Sequence, residues 1–196
     1  MKKAVIVLLF VLLATSLFAG PFGLEWGMSL DEVKKHGKIV DDYVEYLDSS
    51  IGCFFQPNKR HSSFAEYLIQ IGDVEQLMRI IAIGRDIDCK GYGNEIKNEY
   101  ENIKASLTKT YGKPLEEHTD MEKTHVFYGH PEYWMSMLRD GAVNYYTVWK
   151  TDDMIVYLLI QPSETKYSGA YLRLEYISKL YYQYLERLDS AEYSVF

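Results

Sequence analysis

Ile96, Tyr100, Ile103, Leu107 and Tyr111 recur at steps of four, three, four and four residues. That spacing lays one apolar stripe along a helix over 94–111, with polar residues on the other side. Gly112 supplies a left-handed stop and Pro114 prevents continuation. A helix with one apolar stripe needs a partner layer, and the flanking sequence offers strands rather than further helices. Runs over 39–47, 51–56, 64–71 and 74–83 precede it, and runs over 143–149, 154–161 and 171–177 follow, all rich in β-branched and aromatic residues between turn clusters. Strands on both sides of one mid-chain helix point to an α+β fold, with helices packed on a mainly antiparallel sheet. Each half reads as a helix followed by strands, and the order allows a subdivision near residue 91.

Shorter signals refine this plan. Ser29 stands three residues before Glu32, a capping box, and Met28 and Val33 take the positions of a hydrophobic staple, so a short helix is expected over 30–36 with Gly37 as its stop. Lys34, Lys35 and His36 sit in its last turn, where cations suit the negative helix end. Gly72-Asp73 reads as a two-residue hairpin turn. Residues 125–128 read as a further strand, and Pro131 starts a short helix that carries Trp134, Met137 and Leu138 inward. Met154-Ile-Val-Tyr-Leu-Leu-Ile160 lacks polar alternation, so it reads as a central strand covered on both faces. Ser178 caps a closing helix whose Tyr181, Tyr184, Leu185 and Leu188 share a face.

The first nineteen residues follow a different logic. Met1-Lys2-Lys3 is a basic head, residues 4–13 are unbroken apolar, and small residues lead to Ala19 before Gly20-Pro21. This is the pattern of a secretory signal peptide over 1–19, leaving 20–196 as a single α+β domain. The apolar run falls short of the roughly 20 residues that a spanning helix needs, so no stable membrane span is expected after removal. No cysteine lies near the junction to take a lipid anchor. The expected location is therefore the periplasm or the exterior, as a soluble protein.

Charge and cysteines narrow the class further. The formal net charge is -7, and loss of Lys2 and Lys3 takes it two charges further negative. With no basic stripe, a nucleic-acid partner is not expected. Cys53 and Cys89 are the only cysteines, and an even pair in an exported protein reads as one disulfide, with two buried free thiols as the competing arrangement.

Two stretches carry a family likeness. Phe22-Gly-Leu-Glu-Trp-Gly-Met-Ser-Leu-Asp-Glu-Val33 resembles the opening of many small exported bacterial proteins, and Leu107-Thr-Lys-Thr-Tyr-Gly-Lys-Pro114 resembles the helix end that follows in them. Gly27-Met28-Ser29 with Val33 is also similar to the short helix of outer-membrane lipoproteins of the SmpA/OmlA type and of the related β-lactamase-inhibitor-like fold. That resemblance implies helices on an antiparallel sheet and a role through protein contact rather than catalysis.

No catalytic, cofactor or metal residue is singled out. His118, His125 and His130 fall close together but lack the His-Glu-x-x-His spacing of a zinc site. Ser62 and Ser63 stand beside His61 without a nucleophile elbow, and Gly91-Tyr-Gly93 before the long helix is only a faint anion-binding signal. The sequence carries 18 Tyr, 8 Phe and 3 Trp, which suits sheet packing and could also furnish a binding face. The expected function is non-catalytic contact with another envelope protein through exposed aromatics, with Trp26, Tyr181 and Tyr182 as candidates. The alternative is a small periplasmic hydrolase or ligand-binding protein acting on cell-wall or lipid material.

Overall fold

The structure is a computed structural model that describes residues 20–47 and 50–193. The signal-peptide assignment over 1–19 lies outside the described residues. Those residues form four α-helices and nine strands of an antiparallel sheet, an α+β fold. The strands are β1 (Gly37–Leu47), β2 (Ser50–Pro57), β3 (Phe64–Gly72), β4 (Gln76–Gly84), β5 (Ile87–Asp88), β6 (Glu116–Met121), β7 (Val143–Lys150), β8 (Met154–Pro162) and β9 (Gly169–Ser178). The helices are α1 (Leu30–Val33), α2 (Asn94–Tyr111), α3 (Trp134–Arg139) and α4 (Lys179–Tyr193). Strand order is β1-β2-β3-β4-β9-β8-β7-β6, with β5 pairing β9. Among the described residues, no helix is long and apolar enough to cross a membrane.

The chain divides into two compact units, each assembled from separated segments. One takes in residues up to His61, Ile69–Met78 and the residues from Leu180 onward. Within it, Ser29 accepts the Glu32 N–H while Glu32 Oε2 accepts the Ser29 N–H at 2.8 Å, so the capping box forms as expected and α1 continues into a 3₁₀ turn over Lys34–His36. Backbone bonds from Gly27 N to Leu77 O and from Leu77 N to Met28 O, both 2.9 Å, tie this opening to β4. The expected two-residue turn at Gly72-Asp73 is instead a longer loop, with Gln76 taking the left-handed conformation at φ 60°. Asp73 Oδ1 accepts the Val74 N–H and Asp73 O accepts from Gln76 Nε2, bonds that make the wider loop self-sufficient.

The other unit comprises Ser62–Leu68 and Arg79–Lys179. Here α2 and α3 cover one face of the β4-β9-β8-β7 portion of the sheet. The stripe behaves as the sequence predicts: Ile96, Tyr100, Ile103 and Leu107 are buried. Each such side chain contributes about 1.5–3 kcal/mol of transfer free energy. Opposite them, Ile80, Ala82, Leu172, Leu174, Tyr176, Val156, Leu158 and Trp149 complete the core. Tyr100 donates to or accepts from Thr147 Oγ1 at 2.6 Å and packs edge-on against Tyr145, which joins helix to sheet.

One sequence expectation is corrected in this unit, one in the first unit and one across the chain. Residues 125–128 are turns, and the strand is β6, whose residues are nearly all exposed. In α4, Tyr184 is buried but Leu185 is exposed. Cys53 and Cys89 are free thiols, not a disulfide. Cys53 is buried on β2 of the first unit, and Cys89 is buried past β5 in the second, donating to Ile87 O at 3.3 Å. Burial explains both without a bridge, since a thiol behaves as a small apolar group.

Candidate interaction surface

The second face of the sheet in the second unit, away from α2 and α3, is built by register. Arg79 pairs Ile177, which pairs Ile155, which pairs Lys150. Ile81, Glu175, Tyr157 and Val148 form the next rank, and Ile83, Arg173, Leu159 and Tyr146 the third. Alternate residues of a strand point to one face, so these twelve side chains share it. Apart from buried Glu175 and Val148 and exposed Lys150, all are partly exposed. An antiparallel sheet with one wet face ordinarily carries polar residues there, yet this face is mainly isoleucine, leucine and tyrosine. The unbroken apolar run of β8 is therefore buried on the helix side through Val156, Leu158 and Ile160, and only half-covered on the other, where full cover was expected.

A charged group sits in the middle of this apolar field. Glu175 Oε1 accepts from Arg79 and its Oε2 lies 3.3 Å from Arg173. The Glu175 side chain is 9% exposed, and the two guanidinium-bearing side chains are 24% and 29% exposed. A buried carboxylate between two cations is satisfied from both sides. Two residues further along, Tyr171 Oη donates to Gln161 at 2.9 Å. At the far end the His118 ring stacks on Tyr146 at 4.5 Å, extending the third rank onto β6. Glu116, His118 and Asp120 share that side of β6, and such charges discourage a further strand from adding there.

The three candidates read from sequence lie in the first unit. Trp26 is half-buried, Tyr181 is half-buried and Tyr182 is 41% exposed. Tyr181 brings its neighbours together, with ring centroids 6.2 Å from Tyr182 and 6.3 Å from Tyr184. Among the described residues no ring contact joins Trp26 to them. The sheet-face residues were missed because a run such as 154–160 looks the same whether one face or both are covered. The recoverable signal was Arg79, Arg173 and Glu175 breaking otherwise apolar strands at alternate positions.

The histidine stretch has a structural role. His125 Nδ1 accepts the Phe127 N–H at 3.3 Å, which leaves Nε2 to donate to Asp140 at 3.2 Å, so both ring nitrogens are engaged. Phe127 in turn stacks on Tyr133 at 4.4 Å. Among the described residues no three or more His, Cys, Asp or Glu converge as a metal site. Gly91 and Gly93 serve packing: a Cβ on Gly91 would lie 2.0 Å from Glu132 O, and one on Gly93 would lie 2.3 Å from the Trp134 ring. Burial pushes the Cys53 thiol up to about 11 and raises that of Cys89, which makes both poor nucleophiles. Compared with family profiles, curated proteins and solved structures, the chain matches none.

Proposed function

We propose that the protein is exported and acts without catalysis, by binding another envelope protein on the sheet face of its second unit that points away from α2 and α3. The observation that carries this reading is the grid of partly exposed Ile, Leu and Tyr around the Arg79–Glu175–Arg173 cluster. Contiguous apolar surface left in contact with water marks an interaction site, and tyrosine and arginine are the residues enriched where protein partners meet. The basic, apolar and small-residue order of residues 1–19 supports export, and the Trp26-Gly-Met-Ser29 opening, similar to envelope proteins that work by contact, supports the same role.

The test pairs wild type with Leu159→Gln/Ile177→Gln, which makes the face polar without adding charge. Cross-linking in the envelope of producing cells is expected to capture a defined protein with wild type and to lose it with the variant, while thermal unfolding stays close to wild type. Identical capture by both, or turnover of a cell-wall polymer or lipid by the purified protein, overturns the reading. Export is checked by intact mass, which should lack residues 1–19.

A further inference from the structure

Where β4 gives way to β5, the second unit folds a cleft of about 190 Å³. Its walls are Ser62-Ser63, the turn from Gly84 through Arg85 to Ile87, Glu99 on α2 and Leu172 on β9. Leu172 and Ile87 provide apolar floor, and Leu172 is 2% exposed. Gly84 lets the walls come together, since a Cβ there would lie 3.2 Å from both the N and O of Leu172 and 3.3 Å from Ser63 O.

The charges around this floor are uncommitted. The side chains of Arg85 and Glu99 make no hydrogen bond or ion pair with each other or with another described residue. Arg79, Arg173 and Arg187 all hold carboxylates, and Arg139 holds the carbonyls of Lys166 and Tyr167. The acids flanking Arg85 in sequence are also engaged elsewhere: Asp86 accepts from Thr165 at 2.9 Å, and Asp88 pairs with Lys166 at 3.2 Å. A cation and an anion thus line one cleft, more than 4 Å apart, together with Ile87, Leu172 and the two serines.

We infer that this cleft binds an aliphatic amino-acid zwitterion. The ligand carboxylate takes both donor edges of the Arg85 guanidinium, a pairing whose fork geometry discriminates carboxylates. The ammonium takes Glu99, and the aliphatic side chain lies on Leu172 and Ile87. The volume agrees: it is below the roughly 300–1,000 Å³ typical of sites for drug-sized ligands and suits one residue or a dipeptide of small residues. A free amino acid and a dipeptide present the same two charges at different separations, so they are the two sources of this chemistry. The site goes beyond the docking role of the sheet face and does not depend on it.

The test is NMR titration of the full mature protein with leucine, Gly-Leu, N-acetylleucine and leucinamide up to about 10 mM, a range that captures weak sites. Leucine or Gly-Leu should shift the Leu172 and Ile87 methyl signals saturably, and the tighter of the two names the source. N-acetylleucine lacks the ammonium and leucinamide the carboxylate, so each is expected to bind about tenfold more weakly or worse. Arg85→Gln should abolish the preference for leucine over leucinamide, and Glu99→Gln the preference over N-acetylleucine. Both side chains are solvent-accessible and have no partner among the described residues, so the variants should melt with wild type. Absence of saturable shifts with either zwitterion, equal binding of the charge-deleted analogues, or unchanged binding by Arg85→Gln overturns the assignment.

Discussion

Tyr100 and Thr147 bury a hydroxyl pair between α2 and β7, and only the pairing makes that burial tolerable. Thr147→Val keeps the shape and strands the Tyr100 hydroxyl, which should cost about 1–3 kcal/mol. Adding Tyr100→Phe removes the stranded group, so the double variant should recover much of that loss in urea unfolding; strictly additive losses would mean that the two hydroxyls do not depend on each other. The thiols admit an equally direct check. With both cysteines buried and unpaired, a thiol reagent should find almost nothing in the folded protein and two thiols in denaturant without reductant; two unreactive sulfurs in denaturant would restore the disulfide. The disulfide expectation came from compartment and an even count, which carry no geometry. Burial of Tyr100 was legible from its place in the helical stripe, but its partner on β7, 47 residues away, was not.

At the level of elements, what could be read was whatever has a strong period or a local cap. The α2 stripe, the Ser29 capping box and the strands β7 to β9 are specified by neighbours in sequence. β6 was missed because Glu116–Met121 carries no apolar alternation: it is the last strand of the sheet, so packing asks little of its side chains and only pairing with β7 defines it. The start of α2 at Asn94 falls where the stripe put it, but the purpose of the glycines before it was not legible. Gly91-Tyr-Gly93 carried only a faint anion-binding signal, and the glycines make room for the segment around Trp134, with Met135 N bonded to Gly91 O at 2.9 Å. Gly93 is also left-handed, at φ 67°. Gly93→Ala therefore meets two penalties, backbone strain of about 1–2 kcal/mol and overpacking against Trp134 of about 1–3 kcal/mol. A urea midpoint lowered by a combined loss of about 2 kcal/mol or more is expected; a near-neutral variant would show that Trp134 moves aside freely.

At the scale of the whole chain, hairpin neighbours could be guessed from short turns, but the closure that joins β4 to β9 could not. Arg79–Ile83 pairs with Arg173–Ile177 across about half of the sequence, and nothing local announces that register. The first unit is closed by a comparable long-range device. Arg187 of α4 reaches back to the β3–β4 loop, where its Nε and NH2 each lie 2.9 Å from a Glu75 oxygen and its NH2 also meets Asp73. The Arg187 hydrogen bond, ahead of opposing burial, holds the Glu75 carboxyl below its ordinary value near 4.5. A carboxylate with a lowered folded-state pKa stabilises fully above its unfolded value, and that contribution fades as pH falls through the lower, folded one. The clasp should thus be intact at neutral pH and weaken below about pH 4. Glu75→Gln keeps the shape but removes the charge, so it should lower the urea midpoint at pH 7, and its difference from wild type should shrink as pH falls below the ordinary carboxylate range and the wild-type carboxyl takes up its proton. Midpoints that fall in parallel for the two proteins between pH 7 and pH 3 would mean that Arg187 does not draw its hold on the loop from the Glu75 charge.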